Sequence, residues 1–150
     1  MRLTTFTDYS LRVLLYLATA PEGRGTIAEV AKSFAISENH LVKVVHLLGR
    51  EGLLFNTRGR GGGLRLAAPP RDINVGRVVR LAEGRDMPAE CFDAKSNTCA
   101  IAPVCRLAGV LDQAVKAFYN VLDGYTLEDL VANRGALAAI LHRMPRTVAA

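Results

Sequence analysis

The stretch TIAEVAKSFAISENHLVKVVHLLGREGLLFNTRGRGGGLRL, residues 26–66, joins two helical patterns to a glycine-rich hairpin. Thr26-Ile27-Ala28-Glu29 has the form of a capping box, in which a hydroxyl and a carboxylate satisfy amides that a helix start leaves free, and it predicts a short helix to about Phe34. Ala35-Ile36 leaves room only for a tight connection. Ser37 is the candidate cap of a second helix that turns Leu41, Val44, Val45 and Leu48 inward and stops at Gly52. Two helices in a tight corner make a helix-turn-helix. Leu53-Leu54-Phe55 and Leu64-Arg65-Leu66 read as short strands flanking Asn56–Gly63, where four glycines admit backbone angles that other residues resist. The expected fold is therefore mainly α with a small β wing.

A helix followed by a basic, slender hairpin suits a DNA duplex. The second helix fits the major groove, and the hairpin tip can place Arg58 or Arg60 in the minor groove. Asn39, His40 and Lys43 are the expected base readers, while Ser37 and Arg50 are better placed for phosphates, which fix register rather than sequence. His46 reads as a solvated or half-buried helix residue. The charge agrees with the partner: residues 1–80 hold 12 Lys and Arg against 6 Asp and Glu, a net +6, whereas residues 81–150 hold 7 against 8, a net −1. The N-terminal half is the part that attracts a polyanion, here double-stranded DNA.

Outward from this core, Thr7–Thr19 carries Leu11, Leu14, Leu15 and Ala18 at helical spacing, with Asp8 in the first turn. Its apolar run ends Ala18-Thr19-Ala20 like a signal peptide, but Asp8 and Arg12 interrupt it. Beyond the hairpin, Asn74 caps a predicted helix over Val75–Glu83 that Gly84 closes. Residues 85–102 lack periodicity and read as an exposed loop. From Pro103, the positions Leu107, Val110, Leu111, Ala114, Phe118, Val121 and Leu122 form an apolar stripe about five turns long, broad for one small domain. Thr126-Leu127-Glu128-Asp129 opens a further short helix, and residues 135–142 another. The expected division is a winged helix-turn-helix domain over 1–84, a cysteine loop over 85–102, and a dimerisation helix with C-terminal helices over 103–150. No run of about eighteen uncharged apolar residues occurs, so no membrane span is expected. The expected location is cytoplasmic, where thiols stay reduced.

Three cysteines, Cys91, Cys99 and Cys105, fall within fifteen residues as Cys-x7-Cys-x5-Cys. An odd number in one short segment argues against a disulfide framework. Structural zinc usually shows tight Cys-x2–4-Cys pairs and a clear fourth ligand, which this spacing lacks. Three thiolates from one loop suit an iron–sulfur cluster, with the fourth ligand left to an oxygen or a small molecule, since the nearest histidine in sequence is His142. Three reduced, partly buried thiols with no metal remain the plain alternative. A redox or electron-transfer protein would use the same cluster, yet the chain shows no nucleotide-binding loop and no clustered acid–base set, so no enzyme is expected.

The segments Leu3–Arg12 (LTTFTDYSLR), Ile36–Val45 (ISENHLVKVV) and Arg58–Leu64 (RGRGGGL), with the cysteine loop and Thr126–Leu130, resemble the NsrR-type nitric-oxide-sensing repressors, within the winged-helix family that also contains the iron–sulfur regulator IscR. The resemblance spans roughly residues 1–145. It implies a homodimer paired through the helix after Pro103, a 4Fe–4S cluster on Cys91, Cys99 and Cys105, and Asp8 of the partner subunit as fourth ligand. It further implies that nitric oxide, reacting at the cluster, switches affinity for a palindromic operator. A regulator sensing iron–sulfur status or redox state through a 2Fe–2S or 4Fe–4S cluster is the alternative. IscR-like members complete the cluster with a histidine three residues after the last cysteine. Ala108 stands there, which favours the NsrR branch. The seven-residue gap Phe92–Thr98 is longer than the five common in relatives. Asp8 taken alone is a helix-start carboxylate within reach of Arg12.

Overall fold

The computed structural model describes residues 3–57, 62–84, 89–93 and 95–142. It contains α1 (Thr5–Thr19), α2 (Ile27–Phe34), α3 (Glu38–Arg50), β1 (Leu54–Thr57), β2 (Gly63–Leu66), α4 (Val75–Glu83), α5 (Arg106–Asp123), α6 (Leu127–Leu130) and α7 (Arg134–Leu141), with 3-10 turns at Pro70–Asp72, Glu90–Phe92 and Ala102–Val104. Helices dominate, and β1 and β2 form a two-stranded antiparallel wing in the register Leu54↔Leu66 to Thr57↔Gly63. This is a winged helix-turn-helix.

Local chemistry sets the helix ends. Thr26 accepts from the Glu29 amide at 3.2 Å, while Glu29 Oε2 accepts from the Thr26 amide at 2.7 Å, completing the capping box. Ala35 takes a left-handed backbone, φ 52°, to turn the chain sharply from α2 into α3. Ser37 occupies the start of α3 but makes no capping hydrogen bond, so the expectation that its hydroxyl caps this helix is corrected. That hydroxyl stays exposed on the side of the helix start. The first helix begins two residues earlier than its periodicity suggests, because Thr4 Oγ1 accepts from the Thr7 amide at 3.2 Å. The long helix begins at Arg106 rather than Pro103, since Ala102–Val104 is a separate 3-10 turn.

The core forms where α1 meets α3, α4 and the base of the wing. Val13, Leu14 and Leu17 of α1 pack with Val30 of α2, with Leu41, Val44 and Leu48 of α3, and with Leu54, Leu64 and Val78. In α3 these are the inward positions that helical spacing selects, whereas in α1 the expected face is corrected: Leu14 and Ala18 are buried as expected, but Val13 and Leu17 are buried in place of Leu11 and Leu15, which are only half-buried. The wing is fastened to the turn before α2: Leu64 N donates to Gly25 O at 2.7 Å, and Gly25 N returns a bond to Leu64 O at 3.1 Å. Gly63 is required at this junction. Its φ is +147°, and a Cβ there would stand 2.8 Å from the Gly25 carbonyl.

The chain beyond α5 returns to the first domain. Val75 N donates to Tyr125 O at 3.0 Å, Leu127 N donates to Ile73 O at 2.8 Å, and Asn74 Nδ2 donates to Asp123 O at 2.7 Å, which locks the start of α4 to the α5–α6 junction. Arg80 and Asp123 add a paired contact, both nitrogens donating to both oxygens at 2.6 Å, and the Arg80 guanidinium lies 4.4 Å from the Tyr119 ring centre. The Arg80 hydrogen bonds hold the Asp123 carboxyl below its ordinary pKa. α7 docks on α1 through His142, whose Nε2 lies 3.1 Å from Thr19 Oγ1 and whose ring meets the Tyr16 ring edge-on at 4.4 Å. Burial pushes the His142 pKa down.

Gly76 lies buried where α4 meets the end of α5, and a Cβ there would overlap the Asp123 carboxylate and stand 3.0 Å from the Asp123 backbone nitrogen. Gly→Ala in a helix ordinarily gains about 1 kcal/mol, whereas overpacking costs about 1–3 kcal/mol. Gly76→Ala is therefore expected to lower the thermal midpoint by several degrees, a net loss of about 1 kcal/mol, as read by circular dichroism. A raised midpoint would mean that α5 yields freely at this contact.

Candidate nucleic-acid interface and cysteine loop

α3 buries Leu41, Val44, Val45 and Leu48 and presents the opposite face to solvent. At 100° per residue that outer face is centred on Asn39, Lys43, His46 and Arg50, with Val42 at its edge, and all five are exposed. The structure thus brings Asn39, Lys43 and Arg50 onto one stripe. His40 stands at the other edge, where its ring lies 6.3 Å from the Tyr9 ring of α1. Tyr9, His40, Lys43, Thr5, Phe6 and Val44 line a cleft of about 240 Å³ between α1 and α3. Arg50 shares its guanidinium with Glu51, Nε donating at 3.1 Å, so part of its charge is spent within the protein. Ser37 is exposed at the helix start. Arg58 and Arg60 lie outside the described residues.

His46 belongs to the outer stripe, although its sequence reads as an unremarkable helix position. Its place two turns after Asn39 and one after Lys43 is the signal that identifies it. Val42 is the other residue that sequence reading passed over: it falls outside the inward set Leu41, Val44, Val45 and Leu48 and, being apolar, gives no sign of a role on the exposed face.

The cysteine loop runs between α4 and α5. Its entry is tied to α1: Glu83 Oε1 accepts from the Thr4 amide at 2.8 Å and from the Thr4 hydroxyl at 3.2 Å. Within the loop, Asp93 accepts from the Lys95 amide at 3.0 Å and from the Ser96 hydroxyl at 2.8 Å, and these bonds hold its carboxyl below the ordinary pKa. Cys91 sits in the 3-10 turn Glu90–Phe92. Cys99 N donates to Asn97 Oδ1 at 3.0 Å, and Cys105 stands at the start of α5 with no side-chain capping bond. All three thiols are free and half-buried. Among the described residues, no three His, Cys, Asp or Glu side chains come close enough together to hold a metal ion. The thiolate donors would fit an iron–sulfur cluster in kind.

Asp8, on α1, is held by Arg12 of the same chain, Nε donating to Oδ1 at 3.0 Å with a second contact to Oδ2 at 2.8 Å. His142 is committed to Thr19 and Tyr16 at the C-terminal end of α1. No described helix is long and apolar enough to cross a membrane.

Residues 3–133 match a protein family described as Rrf2, iron-dependent transcriptional regulator. The chain belongs to the Rrf2 family. It is similar to the HTH-type transcriptional regulator NsrR of Bacillus subtilis strain 168, with 49% identity over 94% of this chain and 97% of the relative. The NsrR of Halalkalibacterium halodurans is 48% identical over 97% of this chain and the whole relative. Among solved structures, T. potens IscR superposes with a TM-score of 0.71 at 27% identity, covering 97% of this chain and 93% of that one. The oxidized form of Staphylococcus aureus CymR gives a TM-score of 0.67 at 27% identity, covering 87% and 95%. This Rrf2 chain is accordingly a DNA-binding transcriptional regulator of winged-helix fold, and its relatives are regulators rather than enzymes.

Proposed function

We propose that this Rrf2 protein is a cytoplasmic repressor that binds a palindromic operator as a homodimer and is released from it by nitric oxide reacting at a 4Fe–4S cluster. The observation that carries the reading is the set of three free, half-buried thiols on one loop, fastened to α1 at its entry and continuing into α5, in a chain 49% identical to an NsrR regulator. In this reading residues 1–84 grip DNA, residues 85–102 hold the cluster, and residues 103–150 pair the protomers.

Cys91, Cys99 and Cys105 would hold the cluster, with Asp8 of the partner subunit as its fourth ligand. When bound, the cluster would supply iron as the atom that reacts with nitric oxide, and a carboxylate such as Asp8 would hold that iron more weakly than a thiolate does. The chain's own residues supply the rest. Glu83 and Thr4 link the loop entry to the start of α1, and Tyr9 on α1 meets His40 on α3. A shift of the loop is thereby passed to the recognition helix. Two recognition helices must sit about one helical turn apart on the operator, and losing a few base contacts of about 1–3 kcal/mol each suffices for release.

The likeness to T. potens IscR favours one second reading, a sensor of iron–sulfur status or redox state using a 2Fe–2S or 4Fe–4S cluster. Isolation without oxygen, followed by visible absorption and Mössbauer spectra during a nitric oxide titration, separates the two. A 4Fe–4S signature lost in step with operator affinity is the expected result. A colourless, iron-free protein that binds DNA with equal affinity would refute both readings and leave a metal-free regulator.

A further inference from the structure

We propose that Val42 reads the 5-methyl group of a thymine in each operator half-site, an inference that rests on α3 entering the major groove. Val42 is 52% exposed in the middle of α3. The other exposed side chains on that helix, Glu38 and Asn39 one turn before it and Lys43, His46 and Arg50 after it included, are polar or charged, so it is the one apolar side chain on the outer face. A β-branched residue is a poor choice for an exposed helix position, since it loses rotamer freedom without burying its methyls. Nothing among the described residues covers it.

The flanking groups indicate what does. Lys43 and Arg50 on the same stripe suit a polyanion, and an isolated valine among polar and charged side chains is too small an apolar patch for a protein partner. Base edges in the major groove offer one apolar group, the thymine methyl, beside the acceptors and donors that Asn39 and Lys43 would engage. Three residues of helix advance Val42 about 4.5 Å from Asn39, against about 3.4 Å between base pairs. The thymine therefore lies one or two base pairs from the base facing Asn39.

The test uses the full chain, isolated without oxygen, and a duplex that it selects from a randomised library. Each thymine of the duplex is replaced in turn by deoxyuridine, which removes only the methyl group, and affinity is read by fluorescence anisotropy at fixed salt. The wild type is expected to bind about fourfold more weakly at one thymine per half-site, the worth of one buried methyl. Val42→Ala, at an exposed site and with an unchanged melting curve as its control, is expected to lose sensitivity at that thymine alone. A wild type indifferent to every replacement, or a Val42→Ala protein that keeps the sensitivity, overturns the proposal while leaving DNA recognition by α3 intact. Failure to enrich any duplex would overturn the DNA-binding reading and this inference with it.

Discussion

A Val110→Asp protein is expected to sediment as a monomer and to hold a palindromic operator at least about a hundredfold more weakly than the wild type, because linked half-site binding multiplies affinity by about 10²–10⁴. α5 is an 18-residue helix with no fully buried residue in the protomer. Leu107 and Val110 are each 60% exposed and Val121 is 62% exposed, along a helix about 27 Å long. Each such side chain gains about 1.5–3 kcal/mol when covered, and a two-fold interface uses the same patch twice. A second copy of α5 meets that requirement. An aspartate at Val110 would place two carboxylates in that interface, each costing several kcal/mol unless paired. The protomer itself should fold normally, since Val110 contributes little to its core. Analytical ultracentrifugation and circular dichroism together check this, and an intact dimer with full operator affinity would show that the α5 stripe is not where protomers meet.

Where local chemistry decides structure, the sequence was legible in detail. Thr26 with Glu29 and Asn74 with Gly84 mark helix ends that the structure reproduces to the residue, because capping is settled within four residues of chain. The start of α1 was not legible in the same way: the Thr4 cap is steadied by Glu83, 79 residues away. The docking of α7 through His142 and the bond from Ser33 Oγ to Leu141 O at 2.8 Å are equally non-local. At the site, the outer face of α3, His46 included, follows from periodicity, but the exposure of Val42 becomes visible only in the structure. The cysteine spacing names donor atoms. Their arrangement is set by short 3-10 turns and irregular backbone, which no helical or strand periodicity specifies.

Cys99→Ser is expected to abolish cluster loading, giving a colourless protein whose operator affinity is the same with and without nitric oxide. With three thiols available, loss of one leaves too few sulfur ligands to hold the cluster. The informative comparison is Asp8→Ala. In the isolated chain Asp8 and Arg12 form a partly exposed pair one helical turn apart, of a kind worth about 0.3–0.5 kcal/mol. So small a contribution means that exchanging Arg12 for iron costs little, and that Asp8→Ala should melt within a degree or two of the wild type. Iron content, absorption and nitric oxide response then report on ligation without interference from folding. If Asp8 is the fourth ligand, Asp8→Ala keeps its three thiols yet shows an altered cluster spectrum and a changed response to nitric oxide, intermediate between the wild type and Cys99→Ser. An unchanged spectrum and response would return Asp8 to the role its contacts already fill, a carboxylate in the first turn of α1 paired with Arg12, and would leave the fourth position to a donor other than this chain's Asp8.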